Sequence, residues 1–122
     1  MMLLGDLRTA VTYNLPVKFV VYNNGRLGMV KLEQEQGGLQ EFGTELDNPD
    51  ISAVAQAMGL KVQRVTDPQQ LDAAVAAALA SEGPYLLDIQ TNPQEISLPP
   101  KATVSDAWGF AIAKSKEALE SA

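Results

Sequence analysis

The sequence contains no cysteine and no histidine. That removes thiol nucleophiles, disulfides, Cys/His zinc sites and every Ser-His or Cys-His catalytic pair. Any bound metal must be held by oxygen atoms, which favours magnesium or calcium. Acid–base chemistry is left to carboxylates, Lys, Tyr or a cofactor. Aromatic residues make up only 6%, so aliphatic side chains and Ala must fill the core. No Lys/Arg cluster occurs, and 15 acids against 9 bases leave a formal net charge of −6. An electrostatic footprint for nucleic acid is therefore not expected. No apolar run approaches the length needed to span a bilayer. The Met-Met-Leu-Leu start is too short for a signal peptide and is followed at once by Gly5 and Asp6. A cytoplasmic protein is the expectation.

The 122 residues are 46% apolar, enough for one domain with a real core. Residues 2–14 carry apolar side chains at Leu3, Leu4, Leu7, Ala10 and Val11, the stripe of a short amphipathic helix closed by Pro16. Residues 17–22 are β-rich and apolar apart from Lys18, as suits a central parallel strand covered on both faces. Asn23-Asn24-Gly25 breaks that strand. Asn-Gly is also a hairpin signal, but Leu27, Val30 and Leu32 follow at helical rather than alternating spacing. Strand, turn and helix is the reading, with Gly37-Gly38 ending the helix.

Residues 39–48 read as a loop anchored by Phe42. Asn48-Pro49 reads as a helix start with Asn as cap, and Ile51, Val54, Ala55 and Met58 form its apolar face up to Gly59. A strand over 60–65 follows. Asp67-Pro68 then starts a helix, with Gln70 placed for a capping box and Leu71, Val75, Ala78 and Leu79 as its buried face. The Ala-rich run 73–80 signifies helix propensity with close packing. Residues 85–90 form the third strand and 91–100 an extended connection. Thr103 and Asp106 have capping-box spacing, before a helix whose face carries Val104, Ala107, Trp108, Ala111 and Ile112. Trp108 reads as a core or docking anchor. Strands alternating with helices predict an α/β fold, a three-layer α/β/α parallel sheet. Three strands make a thin sheet with apolar edges. The chain is expected either to continue upstream, truncated at its N-terminus, or to self-associate.

The chemistry concentrates at the turn. An Asn oxygen is a neutral ligand suited to magnesium when a diphosphate supplies the charge. The helix opening near Leu27 would direct free N–H groups at phosphate. Gly25 and Gly28 permit close backbone approach. On the residues alone, a structural Asx turn is the better account of two asparagines.

The segment LPVKFVVYNNGRLGMVKLEQE resembles the second half of the diphosphate-binding domain of thiamine-diphosphate-dependent enzymes. Their cofactor motif begins Gly-Asp-Gly and ends Asn-Asn, here Asn23-Asn24. Gly5-Asp6 is not the first half, because it is followed by Leu and lies in a helix-patterned segment. Residues 42–46 (FGTEL), Asn48-Pro49-Asp50, residues 96–100 (ISLPP) and 106–110 (DAWGF) are similar to the pyruvate oxidase and quinone-dependent pyruvate dehydrogenase group. Acetolactate synthases share the Asn-Asn turn. The resemblance implies that 1–16 is the helix following the missing Gly-Asp-Gly turn, 17–91 a βαβ core, and 92–122 the C-terminal connection and helix.

The resemblance also implies roles. Asn24 would give its side-chain oxygen, and Arg26 its backbone carbonyl, to Mg2+. Asn23 would brace the turn. Gly25, Leu27 and Gly28 would bring the backbone under the diphosphate. Met29, Val30 and Glu33 would face the substrate side, with Glu33 as the catalytic candidate; without the resemblance, Glu33 reads first as a solvated helix acid. The implied enzyme decarboxylates pyruvate or a related 2-oxoacid with thiamine diphosphate, and in the full-length family passes electrons to FAD and then to quinone or oxygen. This segment would not bind FAD. Its implied partners are the missing N-terminal domains and further copies of itself, with no membrane tail, and the isolated chain is expected to be inactive. The alternatives are a non-catalytic, oligomerising α/β domain or a fragment of an acetolactate synthase-like enzyme.

Overall fold

The structure, a computed structural model, describes residues 4–95 and 103–120. The elements in order are α1 (Leu4–Thr12), β1 (Lys18–Asn23), α2 (Gly28–Gln36), α3 (Ile51–Ala57), β2 (Lys61–Val65), a 3-10 turn (Pro68–Gln70), α4 (Leu71–Ala80), β3 (Tyr85–Gln90) and α5 (Val104–Glu120). They fall into two compact units, one of residues 1–23 and 48–91, the other of 24–47 and 92–122.

The first unit holds a parallel three-stranded sheet in the order β1-β3-β2. One face packs Leu86 with Leu7 of α1, Ala55 of α3 and Leu60, and Phe19, Val21 and Val62 join them. The other packs Leu87 and Val65 against Ala74 and Ala78 of α4. This is the expected α/β/α layering. The central strand, however, is β3 and not β1. The apolar run of β1 suggested cover on both faces, but only Phe19 and Val21 pack, while Val20 and Tyr22 are 46% and 75% exposed. Lys18, the polar exception in β1, donates to the carbonyls of Ser81 (2.6 Å) and Gly83 (2.7 Å), just beyond the C-terminus of α4. A cation there also complements the helix dipole.

Three local expectations are corrected. Helix α3 is capped by Asp50, whose carboxylate accepts from the Ala53 N–H at 2.9 Å, and not by Asn48. Pro49 precedes the cap, because Asp50 offers a charged acceptor at the helix N-terminus. Asp67 does cap, but it caps the 3-10 turn through the Gln69 N–H, and Gln70 makes no capping contact. Helix α4 buries its alanines, Ala74 and Ala78, and leaves Val75 and Leu79 38% and 70% exposed. Small side chains let the helix backbone approach β3 closely, so the close-packing reading of the Ala run holds; of the expected face, Ala78 and Leu71 pack on the core while Val75 and Leu79 do not.

In the second unit α5 packs on α2. The buried face of α5 is Gly109 and Ala113, one turn apart. Trp108 and Val104 point away from it, 69% and 89% exposed, contrary to the core role expected of Trp108. The reason is again closeness: a Cβ on Gly109 would overlap the Gln36 backbone, so a large side chain cannot sit at the contact. The Thr103–Asp106 capping box forms as expected, with the Thr103 N–H donating to Asp106 (2.7 Å) and the Asp106 N–H to Thr103 Oγ1 (3.2 Å). Residues 96–100, on which part of the resemblance rests, and Leu3 lie outside the described residues.

Candidate functional site

Asn23 is the last residue of β1, in register with Gln90 of β3. Its side-chain Nδ2 donates to Asp88 Oδ1 at 3.1 Å. Asn24 belongs to the second unit. Its Oδ1 accepts the Arg26 N–H at 3.1 Å, which is an Asx turn. Gly25 takes φ +67°, a left-handed conformation that favours glycine. The chain therefore leaves the strand through a turn into α2; among the described residues β1 forms no hairpin and pairs only with the parallel β3.

The loop ahead of α2 is held by two backbone bonds. The Leu27 N–H donates to Thr44 at 2.8 Å, and the Leu46 N–H donates to Gly25 at 2.9 Å. Helix α2 has no side-chain cap. The Lys31 N–H donates to the Leu27 carbonyl at 3.0 Å. The N–H groups of Gly28, Met29 and Val30 thus have no acceptor within the helix. Leu27, Met29 and Val30 are 45%, 57% and 44% exposed, and Glu33, one turn on, is exposed as well. Among the described residues none donates to the Arg26 carbonyl. This donor set fits a magnesium–diphosphate pair. Asn24 Oδ1 keeps a second lone pair, the Arg26 carbonyl is neutral, and an uncapped helix N-terminus suits phosphate.

Behind this face lies a charged cluster that the sequence reading missed. The Arg26 guanidinium bridges Glu41 (2.7 Å) and Glu45 (2.9 Å). Lys31, 2% exposed, meets Glu41 at 2.8 Å and Gln94 at 2.9 Å, with Glu35 at 3.7 Å. Glu35, also 2% exposed, accepts from Lys114 of α5 at 2.6 Å. Thr44, buried, donates its hydroxyl to Glu41. The loop is therefore anchored by Glu41 and Thr44. Phe42 is not the anchor: its ring is 85% exposed, and only its backbone is held, by Gln34 at 3.0 and 3.1 Å. Polar residues on α2 read as a solvated face, so no apolar pattern could have marked Lys31 and Glu35 as interior. The other missed group is Asp88. Its only signal was a lone acid inside the apolar strand text YLLDIQ.

Glu41 and Asp50 have lowered pKa values, as does Asp106 through its bonds from Thr103. Burial raises that of Glu41, but hydrogen bonds from Lys31 and Thr44 and the charges of Lys31 and Arg26 outweigh it. For Asp50 the Ala53 N–H is the largest cause, and Arg64 adds to it against a smaller burial effect. A folded-state pKa below the unfolded one gives stability that is complete above the unfolded value and lost as pH falls through the folded one. We expect Tm to decline as pH drops below the ordinary values, 4.5 for Glu41 and 3.8 for Asp50. Thermal melts across that acid range check it, and a Tm independent of pH there would refute it.

Residues 1–89 match the family model of the thiamine pyrophosphate enzyme C-terminal TPP-binding domain. The chain is 39% identical over 109 residues to YdaP of Bacillus subtilis (strain 168), provisionally named a thiamine pyrophosphate-containing protein; the match covers 89% of this chain and 19% of YdaP. It is 37% identical over 97 residues to the acetolactate synthase isozyme 2 large subunit of Escherichia coli (strain K12), covering 78% of this chain and 18% of that subunit. The fold matches a thiamine diphosphate-dependent 4-hydroxybenzoylformate decarboxylase of Rhodococcus jostii RHA1 with a TM-score of 0.67 at 24% identity, over 73% of this chain and 17% of that one. The chain thus spans less than a fifth of the length of these relatives. No helix among the described residues is long and apolar enough to cross a membrane. By its sequence match and its fold, the chain belongs to the thiamine pyrophosphate enzymes, as part of their C-terminal TPP-binding domain.

Proposed function

We propose that the chain contributes the Asn-Asn half of a magnesium–thiamine diphosphate site to an enzyme that decarboxylates pyruvate or a related 2-oxoacid. The observation that carries this is the Asx turn at Asn24 leading into the uncapped start of α2. Asn24 Oδ1 and the Arg26 carbonyl would ligate magnesium, and Asn23 would brace the turn. Gly25, Leu27 and Gly28 would place the backbone under the diphosphate, where the N–H groups of residues 28–30 offset phosphate charge without titrating. Met29 and Val30 would line the substrate side and exclude water. Glu33 would hold or release a proton there at its carboxylate. When bound, the cofactor supplies the electron sink for cleavage of the bond to the departing carboxylate.

The other metal ligand, the remaining catalytic groups and any flavin site would come from other parts of the same enzyme, assembled as an oligomer. The motifs FGTEL and DAWGF support a pyruvate oxidase-like or quinone-linked dehydrogenase-like enzyme. The similarity to acetolactate synthases supports a synthase as the second reading. Pyruvate turnover by the complete enzyme separates them, as electron delivery to quinone or oxygen against accumulation of acetolactate.

The site itself is tested on this chain by melting with magnesium and thiamine diphosphate at millimolar concentration. The expected result is a Tm rise of about 5 °C that is lost with Asn24→Ala and with a chelator. No shift for the unsubstituted chain would leave only a non-catalytic scaffold role for it.

A further inference from the structure

Asp88 is fully buried on the central strand β3, at 0% exposure. An ionised carboxylate in such a place is costly unless every lone pair is used. Here its two oxygens have separate partners. Oδ2 accepts from Ser52 Oγ on α3 (2.9 Å) and from Arg64 Nε on β2 (3.0 Å). Oδ1 accepts from Asn23 Nδ2 at the end of β1 (3.1 Å) and from Gln90 Nε2 at the end of β3 (3.0 Å). Arg64 is itself tied to Asp50, the cap of α3, at 2.5 Å. One oxygen thus locks the carboxylate to the scaffold, and the other holds the strand ends.

We propose that Asp88 is a positioning residue for the metal–diphosphate half-site: it fixes the Asn23 side chain and so sets the conformation in which the chain enters the Asn24 turn. This rests on the functional reading above. The two asparagines then divide the work, Asn23 facing the sheet and Asn24 opening the turn. The Oδ1 bond to Asn23 reaches the residue peptide-bonded to the proposed ligand.

Asp88→Asn separates the two oxygens. The amide keeps one good acceptor, which Arg64 and Ser52 claim, and turns its NH2 toward the NH2 groups of Asn23 and Gln90. Ser52→Ala is the control, since it removes one scaffold bond and leaves the Asn23 bond. The measurement is an NMR titration of the chain with magnesium thiamine diphosphate, following the backbone amides of residues 24–30 and the Asn23 side-chain amide. Asp88→Asn is expected to weaken binding about tenfold, the size of loss when a group supporting a metal ligand is removed, and to shift the Asn23 side-chain amide signal. Ser52→Ala is expected to leave both nearly unchanged. If Asp88→Asn does not fold, Asn23→Ser cuts the same bond from its other end and is expected to give the same loss. Binding by Asp88→Asn or Asn23→Ser close to that of the unsubstituted chain would overturn the inference. So would an equal loss with Ser52→Ala. An unsubstituted chain that shows no titration, with its Asn23 amide still protected, would instead overturn the functional reading and this inference with it.

Discussion

Lys31→Met is expected to destabilise the protein by about 3 kcal/mol, seen as a lower urea midpoint at unchanged slope. The Met side chain fills nearly the same volume, so the loss is of charge and not of packing. Lys31 is 2% exposed and pairs with Glu41 at 2.8 Å, and Glu35 lies 3.7 Å away. Removing one member of a buried ionic cluster leaves its partners desolvated and undercompensated, which is the costly case. The loss falls at the low end of that range because both acids keep another partner, Glu41 with Arg26 and Glu35 with Lys114. The Arg26–Glu45 pair provides the contrast. Glu45 is 80% exposed there, and Glu45→Gln is expected to cost under about 0.5 kcal/mol. If the two substitutions cost the same, the buried cluster is not what holds the loop to α2.

Gly109→Ala is expected to destabilise by about 3 kcal/mol. In an unconstrained helix the same change stabilises, because Ala exceeds Gly in helix propensity by about 1 kcal/mol. The sign reverses here because the new Cβ would overlap the Gln36 carbonyl oxygen and lie 2.7 Å from its carbon and 3.1 Å from the Gly38 nitrogen. Those are backbone atoms, which cannot turn aside as a flexible side chain can. Gly5 on α1 has nothing within 4 Å, so Gly5→Ala is expected to be neutral or mildly stabilising. Chemical denaturation of both variants tests the pair. A Gly109→Ala protein as stable as its parent would show that α5 does not pack on α2 at this glycine.

Periodicity and punctuation carried most of the fold. The three strands, the turn into α2 and the helix stops at Gly37 and Gly59 stand where the residue pattern put them. What failed were choices between faces and places. Val75, Leu79, Val104 and Trp108 are large and apolar, so the sequence favours burying them. The actual contacts use Ala74, Ala78, Gly109 and Ala113, because closeness of backbones outweighed side-chain size. Strand order was equally hidden, since β1 and β3 are both apolar runs and only pairing tells which is central. At the candidate site the Asn23–Glu33 stretch was legible through motif and resemblance. Its support was not: Asp88, Lys31, Glu35 and Thr44 are polar residues made interior by partners distant in sequence.

The strand order β1-β3-β2 has a consequence for synthesis. The strand that joins the sheet is the last of the three to be made. Until it emerges, β1 and β2 lack the partner they share, and the ladder groups that β3 takes up are not yet paired with it. About 70 residues separate the end of β1 from the end of β3, roughly 4–14 s of translation at ordinary rates. Through that interval the Asn-Asn turn hangs from a strand that still lacks its β3 partner. The Asn23–Asp88 bond is therefore made late, when β3 arrives.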